Sequence, residues 1–273
     1  MTGWLHIHRG DAPLVVAFPH TGTDIPDNAA PAFRSPWLAR KDADWWIDRL
    51  YDFAAALGAT TIRTAISRSV IDVNRDPSGA SLYPGKATTA LCPVDTFDGE
   101  PLYLPGAEPD EAEIAQRRER WFAPYHAAIH TELARLRQAH ARVVLYDAHA
   151  IRSVVPRLFD GTLPQFNIGT FDGASCDPAL TKTIAGIAAA SPFDHVVNGR
   201  FKGGWTTRHH GRPADGLHAV QMELACRGYM DEPADPQAPA NWPSPYRPER
   251  AEPLRSVLAT MLEACLDFAR GQS

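Results

Sequence analysis

Cysteine is scarce: Cys92, Cys176, Cys226 and Cys265 are four in 273 residues, widely separated and without a C-x-x-C pair. That spacing excludes the disulfide framework of a small secreted domain and predicts reduced thiols in a cytoplasmic protein. Long apolar runs are also missing. Nothing approaches the about 20 residues that a bilayer helix needs. The opening Met1-Thr-Gly-Trp-Leu-His-Ile-His8 lacks a basic stretch followed by an apolar one, so neither a membrane span nor a secretory leader is expected. Positive charge is in deficit, with 27 Lys and Arg against 32 Asp and Glu, and the arginines are scattered, which argues against a nucleic-acid partner. Internal repeats, low-complexity tracts and a compact H-E-x-x-H are absent, and the lack of a G-x-S-x-G elbow disfavours a serine hydrolase of the α/β type.

What is present is ordinary globular material, 44% hydrophobic and 22% charged, consistent with one α/β domain over residues 1–273. Residues 14–18 form a short apolar run between prolines and predict a strand buried on both faces. Strands are also predicted at 60–66, 70–73, 142–146, 166–171, 195–197 and 218–224. Helical spacing marks 42–57, stopped by Gly58, then 111–140 with an interruption near Pro124, 178–190 and 250–269. Residues 77–109 are rich in Pro, Gly, Asp and Thr and read as a long lid or binding loop. Strands alternating with helices predict a mixed, mainly parallel sheet with helices on both faces.

The apolar run ending at His20 and the β-like run ending at His149 deliver two histidines to strand ends, where open α/β sheets gather their ligands. Asp24 follows the first and Asp147 precedes the second, so the pattern points to a metal site of two imidazoles and one carboxylate. On Lys41-Asp-Ala-Asp-Trp45, Asp42 fits a helix N-cap and Asp44 fits a ligand, with Asp24, Asp42 and Asp44 all open as the third donor. Asp72, Asn74 and Arg75 close the 70–73 run with Arg68 just before it, a set that fits either a carboxylate clamp or a strand-end ion pair. Glu223 stands inside an apolar strand pattern, where it must act as a general base or pair with a cation such as Arg227. The Gly-rich segment 203–211 reads as a flexible loop bringing Arg208 and His209 to an anionic substrate.

In this order, Phe18-Pro-His-Thr-Gly22, Asp42-Ala-Asp-Trp45, Leu50-Tyr-Asp-Phe53, Ser67-Arg68, Ile71-Asp-Val-Asn-Arg75 and Tyr146-Asp-Ala-His149 resemble the N-formylglutamate amidohydrolase family of histidine degradation. The segments from Ile151 to Pro164, Asn167 to Gly173, Thr207-Arg208 with Gly211, and Gln221-Met-Glu-Leu224 extend the resemblance over nearly the whole chain.

The resemblance implies a zinc-exopeptidase (carboxypeptidase)-like α/β fold and zinc-dependent hydrolysis of a small dicarboxylate amide. It implies His20, Asp44 and His149 as ligands of Zn2+, Glu223 as general base and Asn74-Arg75 as the carboxylate clamp. Arg68, Arg152 or Arg208 is left to take the second carboxylate or an oxyanion. Related chemistries on the same plan are a deacylase of other N-acyl amino acids or cell-wall peptides, or a metal-free binding protein. Ala150 stands where the family has serine, and the missing hydroxyl is expected to remove a hydrogen bond that orients a ligand.

Overall fold

The nine-residue run Val143–Ile151 is buried at every position, so its peptide groups can be satisfied only by strands on both sides. The structure is a computed structural model describing residues 3–82, 85, 88–236 and 238–272. Its strands are β1 Leu5–His8, β2 Leu14–Phe18, β3 Thr60–Thr64, β4 Val143–Ile151, β5 Phe166–Gly169, β6 His195–Val197 and β7 Leu217–Ala225. They form one sheet in the order β1-β3-β2-β4-β7-β5-β6. Strands β3, β2, β4 and β7 run parallel, β1 and β5 join antiparallel, and β6 lies parallel to β5. A mixed, mainly parallel sheet is the architecture that the strand and helix pattern predicted.

The helices are α1 Leu38–Lys41, α2 Ile47–Leu50, α3 Glu111–Arg117, α4 Ala123–Arg137, α5 Pro178–Ala190, α6 Trp205–His210 and α7 Pro248–Arg270. Strand alternation divides the core. Val144, Tyr146, Ala148 and Ala150 of β4 point to the face packed with Leu180 and Ile184 of α5 and Leu254, Leu258 and Leu262 of α7. Val143 and Leu145 point to the other, with Tyr125, Ile129, Leu133 and Leu136 of α4. The spacing of three and four residues on each helix makes one apolar stripe, and each fully buried Leu or Ile contributes about 1.5–3 kcal/mol. Among the described residues no helix is long and apolar enough to cross a membrane.

Several local expectations are corrected. The 42–57 helix is broken: Asp42 closes α1, Trp46 takes a left-handed φ of 64°, and only α2 and a 3-10 turn, Asp52–Leu57, follow. Asp42 is therefore no N-cap; its carboxylate accepts the Phe97 N–H at 2.7 Å. Gly58 does end the segment, at φ 75°. Residues 70–73 are buried turns, not a strand, because Asp72 Oδ1 captures the Asn74 N–H and the Ser67 carbonyl takes the Val70 N–H. The long 111–140 helix is interrupted by a π turn, Arg118–Phe122, just before Pro124, whose missing N–H cannot serve a regular ladder. The sequence pattern missed β1, and the 203–211 segment contains α6 in place of a loop. The 77–109 stretch lies partly outside the described residues, but Leu91, Cys92, Phe97, Leu102 and Tyr103 within it are buried.

Candidate active site

Strand register assembles the polar cluster. Asp147 and His149 alternate with the apolar positions of β4, and Gln221 and Glu223 with those of β7, so all four share one sheet face. The parallel pairing sets His149 directly beside Glu223. His149 lies within β4, which continues to Ile151, rather than past its end. His20 follows β2 in the next loop, where its carbonyl accepts the Asp44 N–H at 2.9 Å and draws the broken 42–46 segment over the sheet edge.

The side chains then meet. His149 Nδ1 lies 3.1 Å from His20 Nδ1 and 3.2 Å from Asp44 Oδ2, with His20 Nδ1 3.6 Å from the same oxygen. Each imidazole is backed at Nε2 by a buried carboxylate: Asp72 Oδ1 at 2.7 Å from His20 and Asp147 Oδ2 at 2.9 Å from His149. Those carboxylates take the Nε2–H of each ring and turn both Nδ1 atoms inward, where a protonated Nδ1 donates to Asp44 and a deprotonated one offers its lone pair to a cation. Burial opposes the charge on Asp44, yet hydrogen bonds from His149 and His20 outweigh it and keep the carboxyl well below the usual range. His149 is likewise penalised by burial, but Asp147 and Asp44 drive its proton affinity well above that of an ordinary histidine.

A tetrahedral ion with bonds of about 2.0–2.1 Å sets its ligand atoms about 3.3 Å apart. The observed 3.1, 3.2 and 3.6 Å match that triangle. His20, Asp44 and His149 are thus a donor set that fits a divalent cation, all three buried. Among the open carboxylates, Asp42 is turned to Phe97 and Asp24 is exposed, so neither reaches the triangle. Ala150 donates its backbone N–H to Asp44 Oδ2 at 3.1 Å while its methyl packs on the opposite face. The hydroxyl missing there would not touch the cluster.

Glu223 is buried, which pushes its carboxyl up to about 7 against the pull of His149. Gln221 Nε2 donates to Glu223 Oε2 at 3.1 Å, while its Oε1 accepts the Gly204 N–H at 2.7 Å. The alternative pairing with Arg227 does not occur, since that guanidinium meets Asp194, Ser153 and the Leu163 carbonyl. Asn74 stands at the centre: Nδ2 donates to Asp147 at 3.2 Å, Oδ1 accepts the Thr206 N–H at 2.8 Å, and His149 Nε2 is 3.0 Å away. Its amide ties Asp147 to α6 at the wall of the cavity. Gly204 permits this, because an added Cβ would come within 2.4 Å of the Asn74 side chain.

A cavity opens over the cluster, lined by His20, His149, Glu223, Arg68, Arg75 and Arg200 among others. Arg68 is bound to Asp72 at 2.7 Å and lies 3.4 Å from Asp44. Arg75 reaches Thr89 Oγ1 at 3.0 Å and lies 3.6 Å from Asp72, so the ion-pair reading of this segment holds alongside its place in the cavity wall. Arg152 and Arg208 are not brought to the wall. Arg152 is paired with Asp98 at 2.7 Å, and Arg208 donates to the Gly203 carbonyl and covers the Phe171 ring. Sequence reasoning missed Arg200, Gln221 and Thr89. Arg200 had one signal, its place just past the strand at 195–197, the crevice position of such sheets.

Fold and cavity together define a class: a mixed, mainly parallel α/β sheet with a buried two-histidine, one-carboxylate cluster near the carboxyl ends of its parallel strands. Residues 12–230 match the model of the N-formylglutamate amidohydrolase family, and the chain belongs to that family. It is 44% identical to N-formylglutamate deformylase of Pseudomonas putida, over 96% of this chain and 95% of that one. It is 46% identical to N-formylglutamate deformylase of Pseudomonas aeruginosa, over 97% of each. The crystal structure of N-formylglutamate amidohydrolase from Ralstonia eutropha JMP134 shares its fold, with TM-score 0.79, 23% identity and 99% of each chain covered.

Proposed function

We propose that this protein hydrolyses N-formyl-L-glutamate to formate and L-glutamate, in histidine degradation, with Zn2+ held by His20, Asp44 and His149. The observation that carries the reading is the pairing of Glu223 with His149 across β4 and β7 at the floor of a cavity that also holds Arg75. The deformylase names of the two Pseudomonas relatives support the substrate. A cation bound by the triad supplies Lewis acidity at the formyl oxygen and makes a water acidic enough to attack near neutral pH. Glu223, with a carboxyl held near 7, accepts the water proton and delivers it to the amide nitrogen as that bond breaks. Arg75, oriented by Thr89, binds a substrate carboxylate and fixes the amide above the cluster. Asn74, also in the cavity wall, donates to Asp147 and accepts from Thr206, so it orients the carboxylate behind His149. The four buried free thiols favour a cytoplasmic setting.

The metal-free binding reading rested on Ala150, whose side chain faces away from the cluster. The broader deacylase reading is separated by turnover. Formate release from N-formyl-L-glutamate is expected to exceed hydrolysis of N-acetyl- and N-succinyl-L-glutamate by at least about a hundredfold in kcat/KM, near the upper range for such small steric differences. Equal rates on the three would reassign the protein to general deacylation.

A further inference from the structure

Arg200 enters the same cavity as Arg75 from a different part of the fold. Arg75 follows β3 and Arg200 follows β6, and the sheet order sets those strands on opposite sides of the central β4–β7 pair that carries His149 and Glu223. Two guanidinium groups therefore reach the cavity from the two flanks of the reacting centre. Arg200 donates Nε–H to the Leu158 carbonyl at 2.8 Å, which holds the guanidinium in the cavity wall, and a guanidinium carries further N–H donors that a carboxylate can share. Its Cζ lies 5.3 Å from the Phe201 ring centroid.

The wall near Arg200 is apolar, made of Phe97, Ile151, Leu158 and Phe201. An N-formylglutamate anion presents its α-carboxylate two bonds from the amide nitrogen and its side-chain carboxylate four bonds away, with two methylenes between. The α-carboxylate must stay close to the cluster, where Arg75 adjoins Asn74 and lies 3.6 Å from Asp72. The methylenes need an apolar surface, and the distal charge needs a cation beyond it. We propose that Arg200 is the specificity residue that binds the side-chain carboxylate of the substrate. This assignment rests on the deformylase reading and deepens it.

The test compares wild type, Arg200→Met and Arg200→Lys, each supplied with zinc, on N-formyl-L-glutamate and on N-formyl-L-glutamine, which keeps the length and removes the distal charge. Loss of a charged bidentate contact is expected to raise KM for N-formyl-L-glutamate by about 10- to 100-fold with kcat changed little. The loss on N-formyl-L-glutamine should be at most about threefold, and the lysine variant should recover part of the preference for glutamate. Binding of L-glutamate, measured by calorimetry, should weaken in the methionine variant by a similar factor. Equal losses on both substrates, with wild-type turnover intact, would overturn the assignment and leave the deformylase reading standing. Absence of formate release by the wild type would overturn both.

Discussion

The Nδ1 atoms of His20 and His149 face one another at 3.1 Å. Two N–H groups at that separation would repel, so the pair must share a proton or a common cation, and Asp44 supplies the negative oxygen beside both. Proton and metal compete for the same lone pairs, which links occupancy, stability and pH.

Purified protein is expected to hold one zinc ion per chain, and His149→Ala to lower occupancy below about a tenth. Chelation should lower Tm by at least about 5 °C, because a site filled at about a thousand times its Kd stabilises the fold by about 4 kcal/mol. Elemental analysis and thermal unfolding with and without chelator check this; no metal and an unmoved Tm would remove the metal from the proposal.

Glu223→Gln should reduce kcat by about a hundredfold or more while metal content is unchanged. The base works only when ionised, and burial raises its carboxyl from 4.5 to about 7, so activity falls as pH drops through that interval. A bound cation moves the limb toward the lower end. The pH profile of kcat/KM should show one acid limb between about 4.5 and 7 in the wild type and lose it in the variant.

Gly204→Ala forces a Cβ to within 2.4 Å of the Asn74 amide. Overpacking of this kind costs about 1–3 kcal/mol. The displaced Asn74 would release Asp147, which backs His149, so kcat should fall at least about tenfold even at a temperature where the variant is fully folded. Steady-state kinetics at 15 °C, with circular dichroism as the folding control, decide it; a normal kcat would show that Asn74 merely fills space.

His126 Nε2 donates to the Val73 carbonyl at 2.7 Å and its Nδ1 lies 3.0 Å from His210 Nε2, joining α4, α6 and the turn that carries Asn74. Burial pushes His126 down to about 4 and His210 down to about 2. Both are neutral in the fold and take up protons when unfolded near pH 6.5, so their contribution is complete above about 6.5 and is lost as pH falls toward 4. The loss from His126 is on the order of 3 kcal/mol. Asp42 and Glu223, with raised carboxyls, act in the opposite sense, so the comparison must be between wild type and His126→Gln. In urea unfolding the variant should lose less stability than wild type between pH 7.5 and 5, or gain more, and identical slopes would refute the assignment.

Elements with a strong internal period were legible. The run 178–190 and the closing helix declare themselves by apolar spacing, β2 and β6 by short valine-rich runs, and β7 by the alternation of Val220, Met222 and Leu224 with Gln221 and Glu223. Residues 42–57 and 70–73 misled because their apolar spacing was real but their backbone was diverted. Asp44 bonds to the His20 carbonyl, and Asp72 to Asn74, Arg68 and His20, so side-chain and loop hydrogen bonds replaced the regular ladder there. Arg152 and Arg208 were plausible by charge alone, yet Asp98 and the Gly203 carbonyl hold them elsewhere.

Sequence by itself determined the alternation of strand and helix, the segregation of Asp147 and His149 from the apolar face of β4, and the family resemblance. Those are properties of residues near one another in the chain, where periodicity is read directly. Only the tertiary structure decided which of three aspartates joins the histidines, that Asn74 supports the cluster, and that Arg200 flanks the cavity. Each depends on atoms from distant segments meeting within a few ångströms, a distance set by sheet order and register.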